Sequence, residues 1–197
     1  MGKTWAAKCF RQLGIPVHDA DACVHRLMGP HGGATKKIAA IFSGVVGPDG
    51  AVDRQKLAGR VLGDAAALAQ LEAVVHPLVH QQQRRYLQRC RRRSVPLVVL
   101  DIPLLYETEA RARIDAVVVV SAPKILQRQR VMRRFGMTAK KFEAIQSRQL
   151  PDNIKCRLAE FIVSTAGTHG QSLRQIKKVV KICRTRKGDV WGPHWGR

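Results

Sequence analysis

The stretch Leu97–Glu107, LVVLDIPLLYE, decides the fold class of this 197-residue chain. It follows Pro96, opens with four apolar residues and reaches its first carboxylate at Asp101. A short uninterrupted apolar run of this kind is typical of a strand buried in a parallel sheet. Because open α/β sheets bind ligands at the carboxyl ends of their strands, Asp101 is predicted to be functional. The alternative is that Asp101 only caps the turn that follows.

Other short apolar runs also lead into helical patterns. Residues 15–21, IPVHDAD, are predicted to form a strand that ends in two carboxylates. Asp19 is the candidate base on a hydroxyl or the holder of a metal through water, whereas Asp21 is expected to be the N-cap of the next helix. Further buried strands are predicted at residues 116–120 and 161–164. This alternation of strands and helices predicts an α/β fold with a parallel sheet.

The first four residues, MGKT, contain the Gly-Lys-Thr with which a phosphate-binding loop ends. In such a loop Gly2 lets backbone N–H groups approach phosphate oxygens. Lys3 reaches the outer phosphates, and the Thr4 hydroxyl ligates magnesium. Three residues recur by chance, so the motif depends on its context. Apolar residues at helical spacing follow Thr4, and a helix is therefore predicted to open at this motif.

Helical signals dominate residues 29–93. Asp53 and Asp64 are predicted N-caps, and Pro77 is expected to begin a further helix that runs to about Arg93. The arginines of that helix are interpreted mainly as a solvated face.

A second basic helix follows the strand at residues 116–120 and carries Arg130 and Arg134. With another helix from about Thr138, it could form a lid whose arginines stabilise phosphate charge; the alternative is again a solvated face.

Composition limits the function classes. The net charge of +21 implies anionic partners such as nucleotides, nucleic acid or an acidic surface. The five cysteines form no CxxC pair, which argues against a disulfide framework or a zinc site and for a reducing cytoplasm. No apolar run approaches the roughly 20 residues of a membrane span, so no membrane partner is expected.

Five segments together resemble the dephospho-CoA kinase family. Residues 13–27 (LGIPVHDADACVHRL), 71–79 (LEAVVHPLV) and 98–107 (VVLDIPLLYE) are similar to the family's LGIPVIDADxIAH, LExIxHPxI and VxDIPLLFE. Residues 115–138 (DAVVVVSAPKILQRQRVMRRFGMT) and 149–162 (QLPDNIKCRLAEFI) resemble DxVxVVxAPxxxQxxRxxxRxGxT and QxPxxxKxxxADxVI. The resemblance implies phosphorylation of the ribose 3′-hydroxyl of dephospho-CoA by ATP with Mg²⁺.

The resemblance also implies an architecture. A three-layer P-loop kinase core is expected over residues 1–28 and 94–186, including a lid at about 123–157. An inserted helical CoA-binding region is expected at 29–93, and a loose tail at 187–197.

The site residues are carried over position by position. Lys3, Asp19 and Asp101 are the catalytic candidates, with Asp19 the candidate base and Asp101 near substrate and metal. Gly2, Lys3, Thr4, Arg130 and Arg134 are expected to bind ATP, and Thr4 the metal. The acceptor pocket is assigned to His76, Leu104, Leu105, Tyr106 and Glu107. The choice of base between Asp19 and Asp101 stays open.

The sequence departs from the family at its first residue. The family begins with a strand and a GxxGxGK[ST] loop, whereas this chain starts inside that loop, with Met1 at its fifth position. We therefore expect a misplaced start or a truncated gene, and a parallel sheet without its central first strand.

Two other functions compete with the kinase. A nucleic-acid-binding protein would use the +21 charge, but aromatic residues make up only 5% and the basic clusters are dispersed, so nucleic acid is not the expected partner. The other is a related small-molecule kinase, such as a nucleoside monophosphate kinase, against which the DADACVH and HP segments favour coenzyme A chemistry.

Overall fold

The computed structural model describes residues 2–133, 136–147, 149–191 and 195. The chain divides into two compact units. The first unit comprises Met1–Val17, Ser94–Val99 and Leu104–Arg197, and the second comprises His18–Arg93 and Leu100–Pro103. The boundaries expected for the kinase core, the lid and the helical insertion are not tested by this division and stay predictions.

The structure alternates short strands with helices. In chain order the elements are α1 (Lys3–Gln12), β1 (Val17–Asp19), α2 (Ala20–Leu27), α3 (Thr35–Ile41), α4 (Arg54–Val61), α5 (Ala65–Arg92), β2 (Val99–Asp101), a 3₁₀ helix (Glu109–Arg113), β3 (Val118–Ser121), α6 (Lys124–Met132), α7 (Ala139–Ser147), α8 (Asp152–Leu158), β4 (Phe161–Ser164) and α9 (His169–Thr185).

The strands of the described residues form two pairs. β3 and β4 are parallel, with a register that runs from Val118 opposite Phe161 to Ser121 opposite Ser164. β1 pairs with β2 in the other two-stranded sheet. The α/β class with parallel strands is thereby confirmed, and the stretch that decides the fold contributes β2.

The core of the first unit lies between α1, α9 and the strands. On α1, Ala6, Cys9 and Phe10 are buried because they recur at helical spacing and share one face. They pack with Ile176 of α9 and with Val163 of β4, both of which are fully buried. This packing anchors α1, whose first turn carries the Gly-Lys-Thr motif.

The second unit is a helical cluster around one apolar core. Ile38 is fully buried and packs with Leu27, Leu57 and Val75 from three other helices. The predicted caps are confirmed, because Asp53 accepts hydrogen bonds from the N–H groups of Gln55 and Lys56 and Asp64 from that of Ala67.

The helix expected to begin at Pro77 does not begin there. Pro77 lies inside α5, which runs without interruption from Ala65 to Arg92. A proline removes one backbone donor and crowds the preceding turn, but it does not necessarily end a helix. Leu71 and Val75 before it and Val79 after it pack against one core, and this burial holds the two halves together.

The C-terminal segment, expected to be loose, makes defined contacts at its described residues. The Asp115 carboxylate accepts hydrogen bonds from the backbone N–H groups of Asp189 at 2.7 Å and Val190 at 3.0 Å. Trp195 is 3% exposed, and its indole N–H donates to the carbonyl oxygen of Arg113 at 3.0 Å.

Within the described residues, no helix is long and apolar enough to cross a membrane.

Candidate phosphate-binding and catalytic residues

The Gly-Lys-Thr motif forms the start of α1, as the sequence predicts. Gly2 is the N-cap, with a φ of +88°, and no side chain caps the helix. The positive φ favours glycine, and a Cβ atom at Gly2 would lie 3.0 Å from Cγ2 of Thr165, so a larger residue would crowd the Thr165 side chain. The first turn contains no acidic residue. The helix start therefore presents N–H groups and Lys3 in a form that suits an anion.

Arg130 joins this region through Thr165, the residue that follows β4. Its guanidinium donates to the Thr165 hydroxyl at 3.0 Å and to the Thr165 carbonyl oxygen at 2.8 Å. Thr165 is in turn held against the end of β3, because its N–H and its hydroxyl both donate to the carbonyl oxygen of Ser121, at 2.8 and 3.1 Å. Gly2 and Arg130, which are predicted from distant segments of the sequence, thus both lie next to Thr165.

Thr165 itself is missed by the sequence prediction. The available signal was a hydroxyl residue immediately after the buried strand FIVS, at the strand end where α/β folds bind ligands. Arg134, the second predicted lid arginine, lies outside the described residues.

The residues at the start of α1 fit the groups that the kinase prediction requires. A triphosphate needs backbone donors and cations, which the uncapped helix end, Lys3 and Arg130 supply. Mg²⁺ prefers oxygen ligands and usually keeps only one or two from the protein. The Thr4 hydroxyl, exposed on the first turn of α1, is an oxygen donor of that kind.

Asp19 and Asp101 are the last residues of the paired strands β1 and β2. Asp19 is also the N-cap of α2, with one carboxylate oxygen accepting from the Ala22 N–H at 2.9 Å. The prediction that Asp21 caps this helix is wrong, because β1 ends two residues before it, at Asp19, and Asp21 falls in the first helical turn. The bond from Ala22 fixes the Asp19 side chain at the strand end.

His18 is a second residue that the sequence prediction overlooks. It is 5% exposed, and its Nε2 has no hydrogen-bond partner within the described part of the chain. Its ring contacts that of Tyr86, with centroids 5.1 Å apart. Burial, reinforced by the positive charges of Arg26 and Arg89 and only partly opposed by Asp19, lowers the His18 pKa. A neutral imidazole therefore lies next to the candidate base.

The LLYE turn begins with strained backbone and ends in a largely buried ion pair. Leu104 has a φ of +55° and is 39% exposed. Glu107 accepts hydrogen bonds from Lys155 of α8 and from the N–H of Leu150, both at 2.8 Å. Burial raises the pKa of Glu107, but these hydrogen bonds outweigh it and hold the pKa below its ordinary value.

The remaining predicted acceptor residues differ in their surroundings. Leu105 and Tyr106 are half-buried, and burial raises the Tyr106 pKa. The buried Tyr106 hydroxyl has no hydrogen-bond partner among the described residues. His76 is exposed on α5 immediately before Pro77. The roles assigned to these residues stay predictions.

Comparison with known proteins decides the family. A family model described as "Dephospho-CoA kinase" matches residues 1–170. The chain belongs to the dephospho-CoA kinase family. The dephospho-CoA kinase of Mesorhizobium japonicum is 47% identical over 189 residues, covering 96% of this chain and 94% of the relative. That of Paramagnetospirillum magneticum is 50% identical over 184 residues, covering 93% and 86%. The predicted kinase function is thereby confirmed.

Two solved structures share the fold of this chain. The crystal structure of TT1252 from Thermus thermophilus has a TM-score of 0.81 at 32% identity, covering 92% of this chain and 91% of that one. The dephospho-CoA kinase from Campylobacter jejuni has a TM-score of 0.63 at 21% identity and shares the fold.

Proposed function

We propose that this kinase transfers the γ-phosphoryl group of ATP to the ribose 3′-hydroxyl of dephospho-CoA, with Mg²⁺, in the cytoplasm. The observation that carries the phosphate-binding part is the contact of Gly2 and Arg130 with the same residue, Thr165. The donor-rich start of α1 and the cationic Arg130 therefore both lie beside Thr165, where a side chain at position 2 would be crowded. Such convergence of donors is what a polyphosphate requires.

Each residue around the helix start has a distinct role in this proposal. The first N–H groups of α1 and the Lys3 ammonium bind the β- and γ-phosphates. Arg130 stabilises the charge that spreads over the transferred group. Thr4 is the proposed protein ligand of Mg²⁺, which when bound neutralises charge on the phosphate oxygens.

We assign the base to Asp19 and the positioning of the acceptor to Asp101. Asp19 accepts one hydrogen bond from Ala22, which sets the side-chain rotamer and leaves a carboxylate oxygen to take the hydroxyl proton. A general base contributes typically about 100-fold or more to a rate. Asp19→Asn should therefore lower kcat by about 100-fold with little change in the KM for ATP. Asp101→Asn should instead raise the KM for dephospho-CoA; a reversed pattern would exchange the two roles.

The phosphate-binding role is tested with two arginines of the same helix. Arg130→Gln removes the cation that contacts Thr165, whereas Arg128→Gln removes another exposed charge two residues away. Arg130→Gln should lower kcat/KM by about 100-fold, the usual scale for one stabilising donor, and Arg128→Gln by less than about twofold. Equal effects of the two changes would show that only the overall positive charge matters.

A further inference from the structure

A cavity on the surface of the first unit is lined only by neutral or basic residues. Its volume is about 320 Å³, and its lining residues are Ser164, Gly167, Gln171, Arg174, Gln175 and Lys178. Four of them belong to α9 at spacings of three and four residues, so they share one face of the helix. At a rise of about 1.5 Å per residue, this face extends over roughly 10 Å of helix.

The two glutamines are held with their amide oxygens already in use. Oε1 of Gln171 accepts from the Thr168 N–H at 2.9 Å, as part of the capping box of α9. Oε1 of Gln175 accepts from the Ser164 N–H at 2.9 Å. Each amide therefore has its NH₂ group left to donate.

Glycine at position 167 makes this arrangement possible. A Cβ atom there would lie 1.9 Å from Oε1 of Gln171, which rules out any side chain while Gln171 keeps its hydrogen bond. The loop between β4 and α9 is thus shaped to hold the glutamine amide in one orientation.

The two cations complete a set of donors. Arg174 and Lys178 are exposed, and in the part of the chain that the structure describes neither forms an ion pair. No carboxylate lines the cavity to offset their charge. The four helix side chains therefore offer amide NH₂ groups, a guanidinium and an ammonium to one concave surface, which is the chemistry that recognises phosphate oxygens.

We propose that this cavity binds a small molecule carrying two linked phosphates. Its lining contains none of the candidate ATP-binding residues Gly2, Lys3, Thr4 and Arg130, although Thr165, which binds Arg130, directly follows Ser164. A small ligand fits better than a nucleic-acid strand, because the donors converge on one cavity of limited volume. Arg174 and Lys178 would thereby use two of the positive charges to which the proposed kinase reaction assigns no role.

The probe for the test is inorganic pyrophosphate, and the readout is calorimetric affinity with the full-length chain. The ATP site is filled with a non-hydrolysable ATP analogue and Mg²⁺. The double change Arg174→Gln and Lys178→Gln should weaken pyrophosphate binding by about tenfold or more. The matched control, Lys177→Gln with Arg184→Gln, removes one lysine and one arginine from exposed positions of the same helix outside the cavity. It should change the affinity by less than about twofold.

A second variant separates binding from folding. Gln175→Glu keeps an oxygen to accept from Ser164 but replaces the NH₂ group by a charged oxygen. It should abolish pyrophosphate binding and leave the thermal unfolding midpoint unchanged. Equal weakening by the cavity and control pairs, or no weakening by either, would overturn the proposal. The proposal would also be overturned if the chain bound a DNA oligonucleotide more tightly than pyrophosphate and the cavity and control pairs weakened that binding equally.

Discussion

At the scale of single residues, Gly2 shows how a three-residue motif acquires a specific shape. Its positive φ and the 3.0 Å distance that an added Cβ would have from Thr165 are separate reasons for glycine, and a second glycine separates them experimentally. Gly14 has a φ of +74° but nothing within 4 Å of an added Cβ. Both Gly2→Ala and Gly14→Ala should cost about 1 kcal/mol of stability through backbone strain.

Only Gly2→Ala should also weaken ATP binding, because it displaces Thr165 and with it Arg130. We expect its Kd for ATP to rise about tenfold and that of Gly14→Ala to stay within about twofold. Equilibrium titration with ATP measures both. Similar Kd values for the two variants would contradict the assignment of Gly2 to the phosphate site.

His18 predicts a pH dependence of stability. Its pKa is lowered from 6.5 in the folded state, so between those two pKa values the unfolded chain binds more protons than the folded one. Its contribution to the free energy of unfolding therefore falls as the pH drops below about 6.5. His18→Ile places in β1 the residue of the family pattern and removes this titration.

Urea unfolding of the wild type and of His18→Ile, from pH 7.5 to 5.5, measures the difference. The stability of the wild type should fall more steeply than that of the variant as the pH decreases. Parallel curves would show that the imidazole protonates without cost.

At the scale of elements, the Glu107–Lys155 pair connects the LLYE turn to α8. Both side chains are 15% exposed, and each is the ionic partner of the other. Lys155→Met leaves the carboxylate buried without its cation and should cost roughly 3 kcal/mol of stability. Adding Glu107→Gln to this variant should recover part of the lost stability. A double-mutant cycle of unfolding free energies measures the coupling, and additive losses would mean that the two side chains are not coupled.

The same ion pair has its own pH signature. Because the Glu107 pKa is held below 4.5, its contribution to stability is complete above pH 4.5 and is lost as the pH falls through the lower folded value. Glu107→Gln should flatten the acid side of the stability curve measured by denaturant titration. An unchanged acid limb in that variant would contradict the pKa direction.

The elements also show where sequence patterns succeed and where they fail. The start of α1, the caps at Asp53 and Asp64, and the strand ending at Asp101 follow local rules, and local patterns predict them. The continuity of α5 through Pro77 depends on core packing from elsewhere in the chain. No local pattern around Pro77 could reveal it.

At the scale of the whole molecule, the sequence predicts the family and the fold class but not how the site residues are supported. The place of Arg130 after a strand predicts a role for it, yet its partner Thr165 comes from a segment 35 residues further on. The sequence predicts Asp19 as a base, but its hydrogen bond from the Ala22 N–H depends on where β1 ends. Long-range contacts of this kind leave little trace in one sequence.

The most direct test of the central claim is product analysis with the purified 197-residue chain. The chain is incubated with Mg-ATP, with and without dephospho-CoA, and both ADP and the acceptor product are followed. The proposed function predicts ADP release that requires dephospho-CoA and equals the amount of coenzyme A carrying a new 3′-phosphate. It also predicts loss of both products in Lys3→Met. ADP release independent of dephospho-CoA, or a phosphate on another atom of the acceptor, would contradict it.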